Sequence, residues 1–483
     1  MSQRRRPFLT AAILLIAVGF LHANADPSRT EAMEAMNKAI RFFSEGASHE
    51  GAYVYRYSSD LMLREGEGKA LTTTGWTEPP GTPAVGMAYL EAYQLTGAPS
   101  AMKAAKEAAY ALVQSQLRSG GWDSSFELGE KQRMKHAYRT EPEEGKRKNV
   151  TTLDDNKSQA CLMFLMRMDE ELGFKDGRIH EAVDYALNHF LAAQYPNGAW
   201  PQRFVDPPDP KEHPILQARY PDEWSRTFPR KNYQGYYTFN DGTMSDMVDV
   251  LLEAHRIYGE KRFMDAARKT GDFILLAQMP APQPGWAQQY NPRMEPAWAR
   301  KFEPPSLSGG ESQGVVQTLM TLYRATREEK YLEPIPRALA YYKRCLRPDG
   351  RLARFYELKT NKPLYFTKDY RLTYSDADMP THYGFIVSSK LDRLEREYGK
   401  LVETPKERLG TVEKKRTYKL SSGLIRDTTK VIKAMDSRGA WVQKGTMQEY
   451  PEDKSTRAII ESRTFISNLR TLSRFIAASD QRN

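Results

Sequence analysis

Apolar residues recur at the three- and four-residue spacing of an amphipathic helix in twelve stretches of this chain. They lie near 28–45, 83–96, 100–116, 157–172, 179–194, 242–258, 261–278, 310–325, 331–345, 382–398, 421–436 and 456–476. The pattern predicts twelve helices in sequence-adjacent pairs. Within a pair the link is short, as in TGAPS after Leu95 and YGEKR after Ile257. No convincing run of alternating apolar and polar residues predicts a sheet. An all-α fold of six helical hairpins follows. If the first and last helices meet, the hairpins close into a ring, an α/α toroid. An open solenoid is the alternative.

A repeated string shows how the hairpins end. QLRSGGW runs from Gln116 to Trp122, and QYPNGAW from Gln194 to Trp200. LEAYQLTG begins at Leu90, 26 residues before Gln116, and LEAHRIYG at Leu252, 26 residues before Gln278. Related closures recur at Gly51/Tyr53, Gly285/Trp286, Gly350/Leu352 and Gly439/Trp441. Glycine suits such an end because the left-handed cap brings no Cβ clash. The tryptophan that follows is expected to seal neighbouring hairpins, so Trp122 and Trp200 are read as packing residues ahead of sugar-stacking ones.

After the closures the connections are long, covering 123–156, 201–241, 287–309 and 346–381. Connections of this length tend to be functional. In an up-and-down ring every second connection lies at the same end. All four long loops are therefore expected on one rim, and any site with them.

The first residues, MSQRRRPFLTAAILLIAVGFLHANAD, combine three arginines, an apolar run from Phe8 to Phe20 and small residues before Asp26. This is the layout of a secretory signal cut after Ala25, which leaves 26–483 as one secreted or periplasmic domain. An uncleaved anchor is the alternative, although the run is short for a span. Loss of the three arginines lowers the formal charge from +10 to +7. A basic exported chain suits an acidic polymer or an anionic surface. No nucleic-acid motif, CxxC, HExxH, P-loop or GxSxG is present. Cys161 and Cys345 fall on apolar helical positions and are read as small buried hydrophobes, not a disulfide. The charged stretch 401–418 reads as a connection within one domain, and a monomer is expected.

Four loop segments carry candidate chemistry. TTLDDNKS, Thr151 to Ser158, sets Asp154 and Asp155 just before a helix. Carboxylates there can cap the helix and complement its dipole. With Asn156 they can equally hold a hard cation such as calcium. GYYTFNDGTM, Gly235 to Met244, puts Asn240 and Asp241 in the matching place one repeat on. WAQQYNPRMEPAWARKFEPPSLSGGES carries Arg300, Lys301 and Glu303, and RFYELKTNKPLYFTKDY carries Arg354, Lys359, Lys362 and Lys368.

In this order and spacing, over residues 80 to 395, the segments resemble polysaccharide lyase family 10, the pectate lyases. The family's TIDN-G-A-T string falls on Thr152-Leu153-Asp154-Asp155-Asn156-Lys157-Ser158, and its ITFND string on Tyr237-Thr238-Phe239-Asn240-Asp241. Its ARxYE string falls on Ala299-Arg300-Lys301-Phe302-Glu303, and its RFYDL and RDG arginines on Arg354 and Lys368. The resemblance implies an α/α toroid and calcium-assisted β-elimination on polygalacturonate. It implies Arg300 as base, with Asp154 also catalytic. Asp154 and Asp241 would hold calcium, and Arg354, Lys368, Asp155, Asn240 and Glu303 would bind substrate. Two departures bear on substrate and efficiency. Asn-Gly-Ala has become Asp155-Asn156-Lys157, and RDG has become Lys368-Asp369-Tyr370. Lysine supplies charge without arginine's planar fork.

The implied chemistry has one physical difficulty: arginine is ordinarily always protonated. A basic Arg300 calls for burial among other cations or for high pH, so an alkaline optimum and calcium dependence are expected. A glycoside hydrolase on the same scaffold would use Asp154 and Asp241 as a carboxylate pair. A glycan-binding relative without turnover is a further alternative. A terpene cyclase is excluded by the lack of DxDD and DDxxD.

Overall fold

A computed structural model describes residues 26–142, 145–409 and 417–480. The signal read at 1–25 and part of the charged stretch 401–418 lie outside the described residues. The α-helices among them are α1 (Arg29–Arg41), α2 (Thr82–Thr96), α3 (Pro99–Gln114), the single turn α4 (Glu130–Arg133), α5 (Lys157–Glu171), α6 (Gly177–Ala193), α7 (Thr243–Tyr258), α8 (Lys261–Leu276), α9 (Glu311–Thr326), α10 (Pro334–Arg344), α11 (Leu391–Glu403), α12 (Ser422–Lys433) and α13 (Ser462–Asp480). Ser28 starts α1 with a capping box to Glu31. That arrangement satisfies two orphan donors at once.

Helices α13, α2, α5, α7, α9 and α11 pack in succession, and α3, α6 and α8 stand beside their hairpin partners. The chain ends meet, because α13 packs on both α1 and α2. A five-stranded antiparallel sheet ties them further, in the order 442–444, 458–461, 56–58, 64–65, 69–70. Arg56 reaches Glu65 at 2.7 Å and Glu461 at 2.8 Å within it. Among the described residues no comparably extensive packing joins α11 to α12 or α13.

The repeated glutamine and tryptophan explain the hairpin stacking. Gln116 Nε2 donates to the carbonyls of Gly120 and Ala182, and Gln194 Nε2 to those of Gly198 and Ala266. Each glutamine thus ties its own closing turn to the following hairpin. Trp122, Trp200 and Trp286 are fully buried. Their indole N–H groups donate to Leu112 O, Thr270 Oγ1 and Ile274 O. At Gly198 the backbone is left-handed, and a Cβ would stand 2.0 Å from the Lys269 carbonyl on α8. Only glycine permits that approach. Cys161 and Cys345 are free and buried.

Two sequence expectations need correction. The fold is helical but not purely so, since short strands line the long connections. Strands of two to four residues are too brief to display alternation. The tenth long helix, α11, begins at Leu391, not near 382. The apolar pair Ile386–Val387 instead forms a strand against Leu352–Ala353. Among the described residues no helix is long and apolar enough to cross a membrane.

Candidate active site

The short strands aim the rim turns. Thr151–Thr152 pairs with Arg203–Phe204, and Tyr237–Thr238 pairs with Gln289–Tyr290. Each strand leads into a tight turn and then a helix of the first layer. Asp154–Asn156 turns into α5, and Asn240–Gly242 into α7. In these turns Asp155 has φ 49° and Asp241 φ 48°. Left-handed backbone is uncommon outside glycine but is open to Asp and Asn. The repeat thereby makes Asp155 and Asp241 structural counterparts. No side chain caps α5 or α7 at Asn156 or Gly242, so these aspartates are not serving as caps.

Instead, carboxylate oxygens of Asp154, Asp155 and Asp241 lie within 4.8 Å of one another. Asp154 Oδ1 accepts from Gln202 Nε2 at 2.8 Å, and Asp241 accepts from Asn240 Nδ2. Burial, then the charges of Asp155 and Asp154, push the Asp241 carboxyl up to about 7. Three crowded carboxylates form an all-oxygen donor set, which suits a hard divalent cation.

Arg300 stands on the other side of Asp241, Nη2 to Oδ2 3.9 Å. Its Nη2 donates to Glu303 Oε1 at 2.5 Å, and its backbone N–H to Glu303 Oε2 at 3.0 Å. Burial disfavours the guanidinium charge, but the hydrogen bond and charge of Glu303, with Tyr383 and Asp241, raise its pKa overall. Of the two settings named for a basic Arg300, burial among other cations is not found: Glu303 and Asp241 stand beside it and favour its charged form. Its Nε is buried without a hydrogen-bond partner. Arg354 donates from Nε to Gly384 O at 2.7 Å and from Nη1 to Glu311 Oε1 at 2.6 Å. Both guanidinium groups face the ring of Tyr383, at 5.4 and 4.8 Å from its centroid. Asp241, Gly242, Glu311, Gln313, Arg354 and Lys390 line a cleft of about 490 Å³.

Three residues expected to touch substrate sit elsewhere. Glu303 is 0% exposed and Asn240 4%. Both are buried, Glu303 against Arg300 and Asn240 against Asp241. Asn240 Oδ1 accepts from Gln288 Nε2, and Glu303 Oε1 accepts from Gln288 Nε2 and the Tyr383 hydroxyl. Lys368 does not line the cleft. Its side chain is 71% exposed and pairs with Asp378 at 3.3 Å. Lysine lacks the fork that would have tied it to a carboxylate in fixed geometry. Tyr383, Gln288 and Glu311 were missed because single polar residues in loops carry no periodic signal. Gln288 and Glu311 lie within a recognised string, and Tyr383 lies outside all of them.

The pectic acid lyase family model matches residues 116–383, more than half of the chain. The chain belongs to the pectic acid lyase family. It is a polysaccharide lyase. A family 10 polysaccharide lyase from Cellvibrio cellulosa, in a variant complexed with trigalacturonic acid, is 21% identical to this lyase. The match covers 66% of this chain and 98% of that one, with a TM-score of 0.45. A cellobiose 2-epimerase from Bacillus thermoamylovorans is 13% identical, covering 93% and 98% of the two chains at a TM-score of 0.44. No curated protein matches the lyase.

Proposed function

We propose that this lyase cleaves a pectate-like uronate polymer by calcium-assisted β-elimination, and that residues 1–25 export it as a monomer. The observation that carries the reading is the carboxylate trio of Asp154, Asp155 and Asp241 with the Arg300 guanidinium 3.9 Å from Asp241. The proton on C5 of a uronate lies next to a carboxylate and is hard to remove. A calcium ion held by the trio would stabilise the charge that develops on that carboxylate.

The protein's own groups do the rest. Arg354, anchored by Glu311 and Gly384, presents its guanidinium to a uronate carboxylate in the cleft. Arg300 takes the C5 proton after giving one of its own to solvent hydroxide. The C5–H electrons form the C4–C5 double bond, the C4–O4 bond breaks, and the departing oxygen gains a proton from solvent. Glu303 fixes the direction of Arg300 and keeps it charged at rest, so the rate should climb through the alkaline range. Closure of the helical ring between α11 and α13 is part of the same reading, since it would hold the rim loops at fixed separation.

The test is the absorbance of unsaturated product from the chain lacking residues 1–25, on a panel of uronate polymers, with calcium and with chelator. A neutral optimum undiminished by chelator overturns the mechanism. Glycan binding without turnover is the second reading, favoured by the hold of Glu303 on Arg300. Under it, polymer binding survives and no unsaturated product forms at any pH. Hydrolysis would give new ends without that absorbance.

A further inference from the structure

Lys157 opens α5, and its side chain is only 3% exposed. An ammonium so enclosed persists only with partners. Its Nζ lies 2.9 Å from Glu78 Oε2, 3.1 Å from Asp155 Oδ2 and 3.9 Å from Glu67 Oε2. Burial opposes its charge, but Glu78 and Asp155 raise its pKa and keep it cationic. Oxygens of Glu67, Glu78 and Asp155 approach one another within 4.8 Å, so these carboxylates form a second trio. Asp155 belongs to both trios, so one carboxylate is shared between Lys157 and the trio with Asp154 and Asp241.

The arrangement is particular to this turn. At the matching position α7 begins with Thr243, whose hydroxyl donates to the Leu153 and Asn240 carbonyls. Glu67 and Glu78 belong to the segment before α2, outside the residues matched by the family model. That segment meets the turn before α5 at Lys157.

We propose that Lys157 is a built-in counter-cation that does the work of a second divalent ion, neutralising Glu67, Glu78 and Asp155 and positioning Asp155 beside the first. The inference rests on the cation reading of Asp154, Asp155 and Asp241. A tethered ammonium cannot exchange with solution, so Asp155 is oriented whether or not calcium is present. Removing it would leave three carboxylates around an ammonium-sized space, a donor set for calcium. Asp155 would then bridge two ions.

The experiment is calorimetric titration with calcium, paired with thermal unfolding, on the chain lacking residues 1–25 and on its Lys157→Met variant. The parent is expected to bind one calcium. K157M is expected to bind two, to melt lower than the parent without calcium, and to recover the difference in calcium. Adding Glu67→Gln and Glu78→Gln to K157M should remove the extra ion. A K157M chain that takes up no more calcium than the parent overturns the proposal. So does one that stays insoluble when purified in calcium throughout, because the ion then fails to replace the ammonium. A parent that binds no calcium refutes the cation reading instead, and the extra ion in K157M, which depends on Glu67 and Glu78, is still counted separately.

Discussion

The turns before α5 and α7 follow nearly the same backbone path yet carry different electrostatics. Leu153 and Phe239 enter at φ −100° and −97°, and Asp155 and Asp241 follow at φ, ψ of 49°, 37° and 48°, 30°. In the first turn Lys157 stands 3.1 Å from Asp155. In the second, Thr243 is neutral, the nearest guanidinium is 3.9 Å away, and the Asp241 carboxyl is pushed up to about 7. The difference teaches that the repeat supplies geometry, while the residue two places on decides how much charge is left for a cation. Left-handed backbone at a non-glycine residue costs on the order of 1 kcal/mol. Keeping it at both turns fits a functional constraint better than a capping one.

The largest expected effect separates the turns through Arg300, which flanks only Asp241. Arg300→Ala should lower kcat by about 1000-fold, the scale of a lost proton acceptor, with polymer binding retained. Equal turnover in parent and variant would remove Arg300 from the chemistry. Next, Asp241→Asn should weaken calcium binding by at least about 100-fold, the upper scale for losing a supporting partner of a metal ligand. Titration calorimetry checks this, and a fall no larger than that of Gln202→Leu would show Asp241 to be no ligand.

The third test concerns pH. Asp241 titrates at about 7 in the folded chain, above its ordinary 3.8. Protonation therefore favours the metal-free fold, and this contribution fades as pH rises from the ordinary value towards 7. Calcium needs the carboxylate, so its affinity should fall about tenfold per pH unit below 7. D241N should abolish both trends, whereas parent-like trends in D241N would assign them to another group. The smallest effect is expected at Lys368. Lys368→Ala should change kcat/KM by no more than about twofold, the range of exposed positions. A tenfold loss would bring that side chain back to the substrate.

Much of the scaffold was legible because helix packing depends on periodic burial, which a linear sequence records. The glutamine-glycine-tryptophan string marked where hairpins end, and the structure shows why: glutamine ties its closing turn to the next hairpin, and the tryptophan is fully buried. The site was legible as segments, since Asp154, Asp241, Arg300 and Arg354 do converge on one rim. Roles within it were not. Asn240 and Glu303 resemble surface groups by residue type, and only their enclosure by Gln288 and Tyr383 makes them supports.

By itself the sequence determined the helical hairpins, their long connections and the strings that mark the rim, because each depends on neighbours a few residues apart. Tertiary structure alone decided that Lys157 meets Glu67 and Glu78, that Arg300 is held charged by Glu303, and that Lys368 stands away from the cleft. Those outcomes depend on distances between residues remote in sequence, and charge interactions change steeply over a few ångströms.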